Sequence, residues 1–154
     1  MEKDITDRYL KLKEKYNLPE YIEIDRDFEI YSISKEEDLI REILKKISST
    51  IDYYTSLLED IIQPDSRFYT LKEANILNKE QRKKVTMIYN KLLYMNRAII
   101  ELNLTYLEDE ASKLISKIYH DWQQIKKDLK EIIKTLKESW LKNTEIKSDE
   151  GYFG

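Results

Sequence analysis

Residues 110–142 read EASKLISKIYHDWQQIKKDLKEIIKTLKESWLK. The stretch contains no Gly and no Pro. Its apolar residues fall at Ala111, Ile115, Ile118, Trp122, Ile125, Leu129, Ile132, Leu136 and Trp140, in steps of four and three. That spacing draws one stripe along a helix, with the narrow seam of the coiled-coil type. Extended back to Tyr106, the pattern holds for about ten turns. A helix with one apolar stripe and charge elsewhere needs other helices to cover the stripe.

Two further stripes supply that cover. One is Val85, Ile88, Leu92, Met95, Ile99 and Leu102, on a helix opened by the capping-box pattern Asn78-Lys79-Glu80-Gln81. The other is Ile40, Leu44, Ile47, Ile51, Tyr54, Leu58 and Ile61. Ser34-Lys35-Glu36-Glu37 reads as the capping box of its helix, and Gln63-Pro64-Asp65-Ser66 as the turn that ends it. Asn103-Leu104-Thr105 is the expected joint before the closing helix, with Thr105 and Glu108 as a third capping box; one continuous helix is the alternative. Residues 67–77 read as a connection with one helical turn. Ile5 to Tyr16 forms a shorter helix, peripheral because its apolar residues are few, capped by Asp4 and stopped by Asn17-Leu18-Pro19. The fold class is therefore all-α: an antiparallel three- to four-helix bundle with long coiled-coil-like helices. Residues 1–142 read as one domain, and the polar residues 143–154 as a flexible tail.

Residues 20–33, EYIEIDRDFEIYSI, fit this scheme least well. Ile22, Ile24, Phe28 and Ile30 suggest alternation, yet no second strand is available for pairing. The expectation is an extended acidic segment laying Ile22, Phe28 and Ile30 across the bundle. Its acids Glu20, Glu23, Asp25, Asp27 and Glu29, part of a run of eight over residues 20–38 that ends with Glu36, Glu37 and Asp38, make it a candidate docking segment for a basic partner.

Composition narrows the chemistry. The 154 residues carry a net charge of −3, 37% charged and 41% hydrophobic side chains, two Gly, two Pro and no Cys. Such a chain is globular, and so few turn-formers favour long helices. Without Cys there are no disulfides, thiolate metal sites or thiol catalysis. The charged N-terminus has no signal-peptide pattern, and no apolar run approaches the roughly 18 residues of a membrane span. A cytoplasmic protein is expected. Abundant Ile, Lys, Glu and Tyr fit both a thermophilic source and an AT-rich genome.

Motifs for catalysis are missing. His120 is the only histidine. A di-iron bundle needs Glu-x-x-His pairs, and residue 117 is Lys. Ribonucleases of the HEPN type place an Arg shortly before a His, whereas the nearest preceding Arg here is Arg97. No glycine-rich phosphate loop or nucleophile elbow occurs. Neither catalytic, metal nor cofactor-binding residues are assigned, and no cofactor is expected.

Binding features are more numerous. Lys126, Lys127, Lys130, Lys134 and Lys137 fall broadly on one side of the closing helix, interrupted by Asp128, Glu131 and Glu138 at salt-bridging spacing. With Arg82, Lys83 and Lys84 they are candidate contacts for an anion or a nucleic-acid backbone. Twelve tyrosines cannot all lie on the stripes; Tyr suits the edge of a core and an association surface alike. Tyr152 and Phe153 form a candidate docking tail. IDYYTSLLEDI (51–61) paired with IYNKLLYMNRAIIEL (88–102) resembles the helical domains of GINS-type replication subunits. The likeness is one of aromatic and helical periodicity over about half the chain; no basic cluster like theirs is present, and no functional residue carries over. The resulting expectation is a non-enzymatic protein acting through protein–protein contact, as an adaptor, a structural subunit or a homo-oligomer. The alternative is a small helical subunit of a nucleic-acid-processing assembly.

Overall fold

The computed structural model describes residues 2–34 and 37–149, without the side chains of Glu2 and of 143–149. Among these residues the chain is all-α, with no strand. The helices are α1 (Glu2–Tyr16), α2 (Tyr21–Phe28), α3 (Leu39–Ile62), α4 (Phe68–Ile76), α5 (Lys79–Thr105) and α6 (Glu108–Asp149); a 3-10 turn covers Ile30–Ser32. No described helix is long and apolar enough to cross a membrane.

Most residues of the stripes read from the sequence are buried; Leu102 and Trp140 are only half-buried, and Ile43, outside the α3 stripe, is fully buried. On α6, Ala111, Ile115, Ile118, Trp122, Ile125, Leu129, Ile132 and Leu136 are all buried. On α3, Ile40, Leu44, Ile47, Ile51, Leu58 and Ile61 are buried, and Tyr54 is half-buried. On α5, Val85, Ile88, Leu92, Met95 and Ile99 are buried. Burial of this kind, rather than helix propensity, holds such helices together.

The helix boundaries test the capping signals separately. Asn78 and Gln81 cap α5 as expected, through two reciprocal hydrogen bonds. At α3 the cap is displaced. The helix starts at Leu39, and Asp38 Oδ1 accepts from the Arg41 N–H at 3.2 Å. Glu37 Oε2 does accept from the Ser34 N–H at 3.3 Å, but this closes a turn ahead of the helix. The expected cap of α6 is also replaced. Glu108 turns its carboxylate to the Tyr16 hydroxyl at 2.6 Å, and the chain breaks at Tyr106-Leu107. The closing stretch is therefore two helices. Beyond Lys142 the backbone of α6 continues to Asp149, and residues 150–154 of the expected tail lie outside the described residues.

The chain gathers into two compact units. The first comprises the residues up to Thr55 together with Lys91–Gln123. Here α1 is more than a peripheral helix. Ile5 and Tyr9 are completely buried, and the Tyr9 hydroxyl donates to the Pro19 carbonyl at 2.6 Å. Residues 20–33 are not extended. Ile24 and Phe28 lie one turn apart on α2 and are buried, whereas Ile22 is 77% exposed. The ring of Phe28 packs on Trp122, and Tyr21 meets Tyr9 edge-on. Glu29, in the left-handed region at φ 54°, ends α2 and turns the chain so that Ile30 is buried as well. Alternation and helix thus bury nearly the same residues, because the bend falls between Phe28 and Ile30.

The acids of this segment are largely fasteners. Glu20 pairs with Lys13 at 2.9 Å. Glu23 accepts from the Tyr119 hydroxyl, Asp25 from the Tyr31 N–H, and Asp27 from the Gln123 side chain. Asp38 caps α3 and accepts from the Tyr106 hydroxyl at 3.4 Å.

The second unit comprises Ser56–Asn90 together with the residues from Gln124 onward. The expected connection at 67–77 is in fact a helix of nine residues, α4. Asp65 fastens its start: Oδ1 accepts from the Arg67 N–H at 2.9 Å and from the Thr70 hydroxyl at 2.7 Å, and Oδ2 accepts from Arg67 Nε at 2.6 Å. These bonds, first that from the Arg67 backbone and then that from Thr70, hold the Asp65 carboxyl below the usual range. Thr70 itself is buried.

Candidate functional site

The basic residues singled out in the sequence lie in the second unit and fare differently there. Lys84 is engaged, with Nζ 3.1 Å from Asp128 and 3.2 Å from Glu131; both hydrogen bonds raise its pKa. Lys134 lies 4.0 Å from Glu138. Arg82 donates from Nε to the Leu77 carbonyl at 3.0 Å. Lys83, Lys127 and Lys130 are exposed, with no acidic partner among the described residues. Lys126 is half-buried and has a partner. The lysine face is thus a mixed surface whose acids already satisfy part of it. Tyr152 and Phe153 lie outside the described residues.

The first unit holds a groove of about 560 Å³ between α2 and α3. Asp27, Phe28 and Glu29 form one wall, and Lys46, Ser49, Thr50, Tyr53 and Tyr54 form the other. Each wall follows from its helix. Residues 46, 49, 50, 53 and 54 share one face of α3 by their spacing, and the left-handed Glu29 turns its backbone at the groove's end. Tyr53 is 67% exposed and stands edge-on to Tyr54, 5.1 Å between centroids. Tyr54 in turn packs on Trp122 at 5.6 Å. The indole N–H of buried Trp122 has no acceptor among the described residues. Ser49 and Thr50 donate their hydroxyl protons to the carbonyls of Lys45 and Lys46, so their oxygens remain as acceptors only. Neither Glu29 nor Lys46 has an ionic partner among the described residues. The groove therefore presents an aromatic wall, the Glu29 carboxylate and the Lys46 ammonium, beside an Asp27 carboxylate already engaged by Gln123 and Arg26.

Sequence reading found half of it. Tyr53 and Tyr54 stand out as aromatics beside a stripe. The opposite wall exists only because residues 21–28 are a helix, which the apparent alternation concealed.

A second aromatic group, in the other unit, joins α4 to α6. Phe68 and Trp140 rings lie 6.2 Å apart, and Trp140 Nε1 donates to Glu73 at 3.1 Å. The Lys72 ammonium sits 4.5 Å from the Trp140 ring centroid, a cation–π contact. His120 is exposed on α6. No group of three or more His, Asp or Glu among the described residues is arranged to hold a metal ion.

No protein-family model matches the chain, and no curated protein or solved structure matches it. The class defined by its own geometry is an all-α protein with an aromatic, charge-bearing groove.

Proposed function

We propose that the protein is an antiparallel helical bundle, with coiled-coil-like long helices, that works without catalysis by binding other proteins. It would serve as an adaptor, a structural subunit or a self-associating chain. The antiparallel arrangement is supported by contacts between α5 and α6: Gln81 reaches Thr135, and Lys84 reaches Glu131 and Asp128. Residue numbers rise along one helix as they fall along the other. The Cys-free composition fits the reducing cytoplasm.

One observation carries the partner-binding reading. Tyr53, largely exposed, walls a concave groove in which Glu29 and Lys46 have no ionic partner among the described residues. Single exposed apolar residues are ordinary. A tyrosine beside a concave surface with uncommitted charge is what interfaces use, because the ring gives contact area and the hydroxyl a hydrogen bond.

A photo-reactive phenylalanine at position 53 tests this reading in the native host. A discrete crosslinked partner or self-crosslink, lost on adding Glu29→Lys, is the expected result. No crosslink at 53, together with a concentration-independent monomer mass by light scattering, would retire it.

The nucleic-acid reading rests on exposed Lys83, Lys127 and Lys130. It requires affinity that falls steeply with salt. Probes that fail to bind at low salt would exclude it.

A further inference from the structure

Arg82 lies at the edge of a cavity of about 350 Å³ in the second unit. The cavity has an apolar body, formed by Ile61, Ile62, Pro64, Ala74 and Val85. It is open to solvent: Val85 and Ile61 are buried beneath it, Ala74 is half-buried, and Ile62, Pro64, Asn75, Arg82 and Thr86 are exposed. Its size falls in the range of small-molecule pockets, roughly 300–1,000 Å³.

The polar groups around it are unequal. Asn75 spends an amide proton on the Leu71 carbonyl. Thr86 spends its hydroxyl proton on the Arg82 carbonyl. Arg82 spends one N–H, from Nε, on the Leu77 carbonyl, and Leu77 is buried. That bond anchors the guanidinium and leaves its terminal N–H groups uncommitted. No acidic side chain among the described residues reaches it. This differs from Lys84, which two carboxylates already neutralise.

We infer that this cavity binds a small monocarboxylic acid with an alkyl body, the carboxylate on Arg82 and the alkyl part against Ile62, Pro64 and Ala74. A guanidinium offers parallel N–H groups that match a carboxylate's two oxygens. The alkyl part gains by leaving water. A peptide terminus fits less well. With the carboxylate on Arg82, its backbone N–H and C=O groups would find only Asn75 and Thr86, each with a proton already spent, and unpaired polar groups are costly. The backbone N–H groups at the start of α5 play no part, since Asn78 already accepts from Gln81 and Arg82.

The test titrates octanoate into the full chain and follows backbone amide shifts. Saturable shifts at Ala74, Asn75, Val85 and Thr86 are expected. Octanol, which has no charge, should bind about tenfold more weakly, a difference of about 1.4 kcal/mol. Arg82→Gln should weaken octanoate by a similar factor while leaving octanol unchanged, and Ala74→Phe should abolish both. Arg82→Lys should recover part of the octanoate affinity. The amide spectrum of each variant reports whether it is folded. Absence of saturable shifts in the wild type, equal binding of octanoate and octanol, or insensitivity to Arg82→Gln in a folded variant would overturn the assignment. So would a peptide ending in isoleucine that binds where octanoate does not.

Discussion

Asn78 and Gln81 close a reciprocal pair at the start of α5: the Gln81 N–H donates to Asn78 Oδ1 at 2.8 Å, and the Asn78 N–H donates to Gln81 Oε1 at 2.9 Å. Two N–H groups that the helix cannot satisfy internally are thus paired. At α3 that work falls to Asp38, not to Ser34. Asn78→Ala should cost about 1 kcal/mol of unfolding free energy. Asp38→Ala should cost at least as much, because it also removes the acceptor of the Tyr106 hydroxyl. Ser34→Ala should cost less than either. Urea unfolding of the three variants checks the order, and a Ser34→Ala loss equal to that of Asp38→Ala would contradict it.

The sequence made the long helices legible because each buries one stripe of period three to four, a pattern that survives without tertiary information. Short elements lack that redundancy. On α2 a buried pair at Ile24 and Phe28 is only one turn, and exposed Ile22 mimics a strand. On α4 the ordering comes from Asp65 reaching Arg67 and Thr70, a side-chain geometry with no periodic signature. The Arg82 cavity was half legible. The basic cluster names the arginine, but the apolar walls come from three separated segments, and which of the neighbouring bases is neutralised depends on α6.

A chain with no glycine among residues 1–150 must turn its helices without one. Asn17 and Glu29 take the left-handed conformation, at φ 53° and 54°. Asn tolerates it, whereas for Glu the side chain crowds the backbone. Glu29→Gly should therefore stabilise the protein by about 1 kcal/mol, which raises Tm by about 2–4 °C for a chain of this length. Asn17→Gly should be nearly neutral. Calorimetry of both decides it; a destabilised Glu29→Gly would mean that the Glu29 carboxylate contributes more than its backbone costs.

Tyr119 and Tyr106 give the fold an alkaline limit. Burial first, and then the hydrogen bond to Glu23, pushes the Tyr119 phenol up to about 12. Burial first, and then the charge of Asp38, does the same for Tyr106. Burial moves Tyr9 in the same direction. A raised phenol pKa means that the fold favours the protonated form. This contribution is therefore complete below the ordinary tyrosine value of 10 and is lost as pH rises from there to about 12. Tm should fall across that window. Tyr119→Phe should lower Tm at neutral pH, by loss of the hydrogen bond, and flatten the alkaline decline. Parallel wild-type and variant curves would show that Tyr119 does not contribute to it.

Asn96 is a buried amide on α5, 8% exposed, at a level where its neighbours on the helix are apolar. Its Nδ2 donates to Asp52 on α3 at 2.8 Å, and its Oδ1 accepts from Arg97 at 2.7 Å. Both ends of the amide are used, so its burial is compensated rather than merely tolerated. Repeating apolar stripes permit a pair of helices to slide by a turn; a polar contact from buried Asn96 to exposed Asp52 disfavours registers that would leave the amide unpaired. Asn96→Ala should cost about 1–2 kcal/mol. In a double-mutant cycle with Asp52→Ala, the coupling should be about 0.5–1.5 kcal/mol. Asn96→Leu separates stability from register. It should recover much of the stability by burying apolar surface, yet broaden the amide spectrum around Asp52 as alternative pairings become populated. A sharp, unchanged spectrum for Asn96→Leu would assign register to the stripes alone and leave Asn96 a purely energetic role.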